Sequence, residues 1–256
     1  MVHILSPEHR VVIAQVAWSH VLLAFDFDGT LAPIVEDRGE AEMRPGTARL
    51  FARVCEAYPV AVISGRARDD VAHRLGSARA KYVIGNHGLE PGADMAPYES
   101  FVRAAFSELA HALGGVHGVE LEDKAYSLAI HYRRSRTRRE ARRIIHAAID
   151  GLTTPARVVE GKCVVNLVPP GAPDKGVALR RLRTEQGAGV ALYVGDDVTD
   201  EDVFRLDEPG RLVSIRVGES PASAAPYFLR DQLEMDELLA FLLALRHMSD
   251  HATAQE

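Results

Sequence analysis

Short apolar runs alternate with stretches of helical spacing along much of this chain, and most of the runs close on acidic residues, serine or glycine. Val21-Leu-Leu-Ala-Phe25 meets Asp26-Phe-Asp-Gly-Thr30, and Val60-Ala-Val-Ile63 meets Ser64-Gly65. Tyr82-Val-Ile84 meets Gly85, and Ala191-Leu-Tyr-Val194 meets Gly195-Asp-Asp197. Leu212-Val-Ser-Ile-Arg-Val217 is a further run. Runs of this kind read as strands buried on both faces. Residues 47–58 and 66–75 carry helical spacing between them. Strands joined through helices of this length are crossover units, so the sheet is parallel and the fold class is α/β. Ligands of such sheets sit outside the carboxyl ends of the strands, which is where the acidic clusters fall.

The middle of the chain follows a different pattern. Residues 100–113 and 137–149 read as helices, residues 119–133 have strand character, and residues 157–168 read as a hairpin around Glu160-Gly-Lys162. This is an α+β pattern set into an α/β one. Pro91-Gly92 marks the entry and Pro169-Pro-Gly-Ala-Pro173 the exit. The expected division is a core made of residues 1–92 and 173–256, interrupted by an inserted domain at 93–172.

Composition narrows the partners. Hydrophobic residues make up 47% and charged residues 26% of the 256, the balance of a globular protein with a sizeable core. A net charge of -6 weighs against nucleic acid and anionic membranes, which reward basic surfaces. Seven arginines lie between Arg133 and Arg143, but no aromatic residue interleaves them, and a solvated helix face opposite Ile144 and Ile145 is the better reading. The apolar stretch at 238–245 is too short to span a bilayer and reads as a buried helix face. Two cysteines, Cys55 and Cys163, point to no disulfide framework and to no cysteine-based zinc site. With no signal peptide evident, a cytoplasmic location is expected.

The strand ends carry the chemistry. An Asp-x-Asp pair alone is most often a loop with acidic caps. Directly after a buried strand and before Gly29-Thr30, Asp26 and Asp28 become candidates to share a divalent cation and a phosphoryl group. Gly29 permits close backbone approach to an anion and Thr30 adds a hydroxyl. Ser64, in Ser64-Gly-Arg66, offers a hydroxyl and backbone N–H groups at a helix start, although serine there is often only a cap. Lys175 suits a phosphate or a nucleophilic carboxylate, although a lone lysine is usually solvated surface. The run Gly195-Asp-Asp-Val-Thr-Asp-Glu-Asp202 is too acidic for one strand end without a cation. Metal binding is assigned to Asp196, and helix capping to Thr199 with Asp202.

Together, Asp26-Phe-Asp-Gly-Thr30, Ser64-Gly-Arg66, Lys175 and Gly195-Asp-Asp197 resemble the four motifs of the haloacid-dehalogenase-like phosphatases. More narrowly, the chain resembles the trehalose-6-phosphate phosphatases. That likeness rests on Asp26-Phe-Asp-Gly-Thr-Leu-Ala-Pro-Ile34, Gly85-Asn-His-Gly-Leu-Glu90, Glu122-Asp-Lys124 with His131-Tyr-Arg133, Gly161-Lys162 and the acidic run at 195–202. It covers about residues 20–217.

The resemblance implies a Rossmann-like core with the insert acting as a cap, and a Mg2+-dependent phosphatase acting on a sugar phosphate. In that reading Asp26 is the nucleophile, Asp28 the acid and base, and Ser64 and Lys175 bind the transferring phosphoryl group. Asp26, the Asp28 carbonyl and Asp196 hold the metal, with Asp197 and Asp200 behind them orienting Lys175 or metal-bound water. Thr30, Arg66, Asn86, His87, Glu122, Lys124, His131, Arg133 and Asn166 fall to substrate binding. If the segment is extended, Glu122 and Lys124 share one strand face, as do His131 and Arg133.

The stretch Val164-Val-Asn-Leu-Val168 departs from the resembled family, which usually carries a Glu and a nearby Arg there. Trehalose 6-phosphate is the leading substrate. A related glycosyl or pseudo-disaccharide phosphate remains open, as does a phosphomutase on the same fold. A catalytically silent regulator would be expected to lack one of the paired aspartates, and both are present. Oligomeric state is not legible.

Overall fold

The computed structural model describes residues 1–253 except 93 and 162, and describes only the backbone of 38 and 249–253. In chain order the elements are β1 (Val2–His3), α1 (Arg10–Ala17), β2 (Val21–Phe25), α2 (Pro45–Ala57), β3 (Val60–Ile63), α3 (Arg68–Arg74) and β4 (Tyr82–Ile84). Then come α4 (Ala96–Leu113), β5 (Glu120–Asp123), β6 (Leu128–His131), α5 (Arg138–Asp150), β7 (Arg157–Gly161) and β8 (Val164–Val168). The chain closes with α6 (Lys175–Gln186), β9 (Val190–Gly195), α7 (Glu201–Phe204), β10 (Leu212–Val217), β11 (Tyr227–Leu229) and α8 (Glu234–Thr253). It divides into two compact units, 1–88 with 174–256, and 89–173.

The first unit is built on a seven-stranded sheet in the order β1-β11-β10-β9-β2-β3-β4. All of its pairings are parallel. Period-two alternation sends Leu23, Phe25, Val60, Val62, Leu192 and Val194 into one core, against side chains of α1, α2 and α8. Leu22, Ala24, Ala61, Ile63, Ala191 and Tyr193 face the other, against Ala178, Leu179 and Leu182 of α6 and Val203 and Phe204 of α7. Both faces are covered, which is why these strands read as unbroken apolar runs.

The strand order fixes where a ligand can bind. From β2 the chain steps outward to β3 and β4, then returns to β9 on the opposite side of β2 and continues to β10 and β11. The direction reverses between β2 and β9, and such a switch point leaves a crevice at the carboxyl ends of the two strands. Phe25 pairs with both Val62 and Val194, so β2, β3 and β9 end nearly level.

The second unit has a four-stranded antiparallel sheet in the order β5-β6-β8-β7. Leu128, Ile130, Val165 and Leu167 on one face pack against Leu109 and Leu113 of α4 and Ala141, Ile145 and Ile149 of α5. The region 119–133, read from sequence as strand, is two strands rather than one. Lys124 N donates to Ser127 O at 3.0 Å, closing a turn in which Ala125 takes a φ of 65°. The arginine-rich stretch is largely solvated: Arg142 pairs with Glu160, Arg143 with Glu140 and Arg134 with Glu120, all exposed. No helix among the described residues is long and apolar enough to cross a membrane.

Candidate active site

The loops that follow β2 and β9 meet at the switch point. Asp26 N donates to Val194 O at 2.9 Å, which holds the first aspartate beside the end of β9. Gly29 sits at a φ of 81°, and a β-carbon there would lie 2.1 Å from Asp196 Oδ2. Only glycine lets the Asp196 carboxylate settle onto this loop. Thr30 Oγ1 reaches Asp196 Oδ1 at 3.4 Å. From the far side, Gln232 Nε2 donates to Thr30 O and Leu31 O, each at 3.1 Å, and pins the loop's backbone.

Lys175 enters from the first turn of α6, whose N-cap Asp174 accepts from Val177 N at 2.8 Å. Its ammonium is 1% exposed and lies 2.7 Å from Asp200 Oδ1 and 3.1 Å from Asp26 Oδ1. Asp200 is fully engaged. Oδ1 also accepts from Tyr193 Oη at 2.6 Å, and Oδ2 accepts from the backbone N–H groups of Asp196 and Asp197, each at 2.8 Å. The cap in this run belongs to Asp197 paired with Asp200, not to Thr199 with Asp202. The helix begins two residues earlier than its spacing implied, as a single 3-10 turn, Val198–Asp200, that runs into α7.

The electrostatics favour a cation. Asp26, Asp196 and Asp200 bring carboxylate oxygens within 4.8 Å of one another, with one lysine among them. Burial pushes the Asp26 carboxyl up; Lys175 opposes this, and Asp200 and Asp28 add to it. Burial, then Asp26, Asp200 and Asp197, push Asp196 up. Lys175 is held charged: burial works against it, but Asp200 and Asp26 outweigh the penalty. The Asp200 oxygens are taken by four donors, so Asp26 and Asp196 are the carboxylates of this group that could hold a divalent ion. An all-oxygen donor set fits magnesium, which keeps much of its water and needs few protein ligands.

The Ser64-Gly65-Arg66 loop follows β3. Ser64 is buried, and its Oγ accepts from Arg66 N at 3.2 Å. Arg66 is buried too, and its guanidinium grips the Asp28 carboxylate as a fork, with Nε 2.6 Å from Oδ2 and Nη2 2.7 Å from Oδ1. Asn86 and His87 lie under this loop, both in the left-handed region with φ of 49° and 61°. Asn86 N donates to Arg66 O at 2.7 Å and His87 N to Ser64 O at 2.9 Å. The imidazole of His87 covers Gly65, where a β-carbon would stand 2.4 Å from its Cε1. Both side chains are buried, which makes them braces of the loop.

The inserted unit carries its own polar groupings. Lys124 is buried and donates from Nζ to Asn166 Oδ1 at 3.3 Å. Glu122 is exposed and pairs with His131 at 2.7 Å. The expected common face for Glu122 and Lys124 does not form, because β5 ends at Asp123 and the chain turns there. Arg133 likewise falls beyond the end of β6 and is half-buried. Lys162 lies outside the described residues.

The trehalose-phosphatase family model matches residues 24–232, a span that contains both aspartates of the first motif, Lys175 and the acidic run. This chain belongs to the trehalose-phosphatase family. The trehalose-phosphate phosphatase of Mycobacterium avium is 34% identical over 245 residues, covering 90% of this chain and 59% of that protein. The chain therefore spans little more than half the length of that relative. The maize trehalose 6-phosphate phosphatase RA3 is 29% identical over 262 residues, covering 89% of this chain and 71% of that protein. Among solved structures, the C-terminal domain of the C. albicans trehalose-6-phosphate phosphatase superposes with a TM-score of 0.74 at 22% identity, covering 92% of this chain and 96% of that one. A trehalose-6-phosphate phosphatase related protein gives 0.70 at 22%, covering 89% and 99%. At that identity the superpositions establish the fold. For a trehalose-phosphatase family member the site holds several residues that motif reading passed over, namely Asp70, Arg74, Tyr193 and Gln232. The spacing Arg66, Asp70, Arg74 was a usable signal, since positions four apart are neighbours on a helix.

Proposed function

We propose that this chain is a divalent-metal-dependent phosphatase of a sugar phosphate monoester, with trehalose 6-phosphate as its substrate and an aspartyl phosphate on Asp26 as its intermediate. The observation that carries the reading is the half-buried Asp196 beside the buried Asp26 and Lys175, a group in which carboxylates outnumber the cation that neutralises them. The named activities of the relatives support the substrate class.

In the first half-reaction an Asp26 carboxylate oxygen attacks phosphorus, the bond from phosphorus to the sugar oxygen breaks, and Asp28 gives its proton to that oxygen. In the second, Asp28 takes a proton from water, the water oxygen attacks phosphorus, and Asp26 leaves as a carboxylate while phosphate departs. Ser64 and Lys175 bind the non-bridging oxygens, where a buried donor acts most strongly on developing charge. Asp26, Asp196 and the Asp28 carbonyl would hold Mg2+, which supplies positive charge between carboxylate and phosphate. Asp200 anchors Lys175 between itself and Asp26, and Asp197 caps the turn that presents Asp200.

The inserted domain, residues 93–172, is assigned to sugar recognition and to excluding water, through Glu122, Lys124, His131, Arg133 and Asn166. Thr30 serves from the core, Arg66 serves through the Asp28 carboxylate that it holds, and Asn86 and His87 act mainly by bracing the loop. Asn166 is neutral where the resembled family usually has a carboxylate, and Val168 is fully buried. A lost hydrogen bond to a buried hydroxyl changes discrimination by about 1–3 kcal/mol, so a related glycosyl phosphate is the second reading. A cytoplasmic location fits the two free cysteines.

The test is a phosphate-release screen over trehalose 6-phosphate, glucose 6-phosphate and other glycosyl phosphates, with and without magnesium. Preferred release from trehalose 6-phosphate that stops with chelator, and an inactive but folded Asp26→Asn, are the expected results. Phosphate moving to a second sugar instead of to water would replace hydrolysis by transfer, and turnover retained by Asp26→Asn would remove the nucleophile.

A further inference from the structure

The fork between Arg66 and Asp28 is one end of a longer chain of ion pairs. Arg66 Nη1 donates to Asp70 Oδ2 at 2.8 Å, and Asp70 Oδ1 accepts from Arg74 Nε at 2.8 Å. Arg74 Nη1 is tied in turn to the backbone, to Gly39 O at 3.1 Å and Ala41 O at 2.7 Å. Asp70 and Arg74 both lie on α3, and the Arg66 guanidinium also stands 5.9 Å from the centre of the Phe27 ring. Burial works against the charge on Asp70, but hydrogen bonds and charge from Arg66 and Arg74 outweigh it and hold its carboxyl below the usual range.

This arrangement fixes the guanidinium from both ends. A planar fork imposes its own plane on a carboxylate that it grips through two parallel bonds. Whatever sets the plane of Arg66 therefore sets the direction in which the Asp28 oxygens point. Asp70 holds the Nη1 end, and Arg74 ties Asp70 to main chain that a side-chain rotation cannot move.

We propose that Asp70 is a positioning residue for the acid–base step, acting through Arg66 to fix the direction of the Asp28 carboxylate. The inference rests on the assignment of Asp28 as acid and base made above. Asp70 touches no reacting atom in this scheme. A displacement of about an ångström at a reacting group lowers rate by on the order of a hundredfold, so a loosened fork is felt in turnover before it is felt in binding.

The experiment compares Asp70→Asn and Asp70→Ala with the wild-type chain on two substrates, trehalose 6-phosphate and p-nitrophenyl phosphate, in steady-state and first-turnover measurements. The sugar oxygen needs a proton as it leaves, whereas p-nitrophenolate leaves without one. The expected result is a fall in kcat on trehalose 6-phosphate of about ten- to a hundredfold with KM within about twofold. The first-turnover burst of p-nitrophenolate stays at the wild-type rate. Asp70→Asn keeps the shape and volume of the side chain, so it decides the matter if Asp70→Ala does not fold. A burst slowed as much as sugar-phosphate turnover would make Asp70 a purely structural residue, and unchanged rates on both substrates would remove it altogether. Wild-type turnover is the control that separates the two readings: a wild-type chain inactive on both substrates overturns the phosphatase assignment, not the role of Asp70.

Discussion

Asp200 Oδ1 accepts a hydrogen bond from Lys175 Nζ at 2.7 Å, with both side chains closed to water. The same carboxylate takes the Tyr193 hydroxyl and two backbone N–H groups, so it organises the end of β9 as well as the lysine. Asp200→Ala would strand all of these donors at once. Removing one partner of a buried ion pair costs about 3–5 kcal/mol. Urea unfolding is the direct measurement, and Asp200→Asn, which keeps an acceptor oxygen, is expected to lose less. A loss under about 1 kcal/mol for the alanine variant, the size of a surface pair, would show that Asp200 is not a structural anchor.

Most of the sheet and its acidic strand ends could be read from the chain itself. Apolar runs such as 21–25 have few alternatives once both faces must be buried, and the acidic run at 195–202 advertises a charge problem without any knowledge of its neighbours. What escaped reading depends on distant contacts. Gln232 reaches Thr30 across 202 positions, and nothing local in Asp231-Gln232-Leu233 signals it. Asp70 looks like an ordinary acidic residue in a helix's first turn. Nothing local signals that the turn at Ala125 folds Lys124 back against Asn166. Thr199 is a good cap by composition, yet Asp197 takes the position because Asp200 can return the bond to its backbone.

Stability should depend on pH in a way that magnesium reverses. The Asp196 carboxyl is raised from the ordinary 3.8 to about 9, by burial first and then by Asp26, Asp200 and Asp197. A carboxyl raised in the folded chain binds its proton more tightly there than in the unfolded chain. Its stabilising contribution is present in full below the unfolded value and is lost as pH rises towards the folded one. The metal-free protein is therefore expected to lose melting temperature between about pH 4 and pH 9. A cation that binds only the folded chain stabilises it by mass action, and more so as its ligands ionise. The magnesium-induced rise in melting temperature should therefore grow with pH, and Asp196→Asn should flatten both trends. An increment independent of pH would mean that these carboxylates do not receive the ion.

Gly88 tests whether the start of α6 is held by contact with the turn at 86–88. Its φ is 112°, and a β-carbon there would stand 2.3 Å from Asp174 O, 2.5 Å from Asp174 C and 3.0 Å from Lys175 N. All three are main-chain atoms, so no side chain can swing aside to relieve the clash, and the first turn of α6 must move. Lys175 moves with it, away from its 3.1 Å contact with Asp26. Gly88→Ala is expected to lower kcat by on the order of a hundredfold and to lower stability by about 1–3 kcal/mol through overpacking. Gly187→Ala is the control, because it lies at the other end of α6 with a φ of 68° and meets only His20 Cε1, at 3.9 Å. It too has a positive φ, and its β-carbon would not press on the lysine. If both variants lose activity in proportion to their lost stability, the close approach at Gly88 has no special part in placing Lys175. A large kcat loss confined to Gly88→Ala, measured well below its melting temperature, ties the position of the ammonium to a glycine outside the loops that carry Asp26, Ser64 and Asp196.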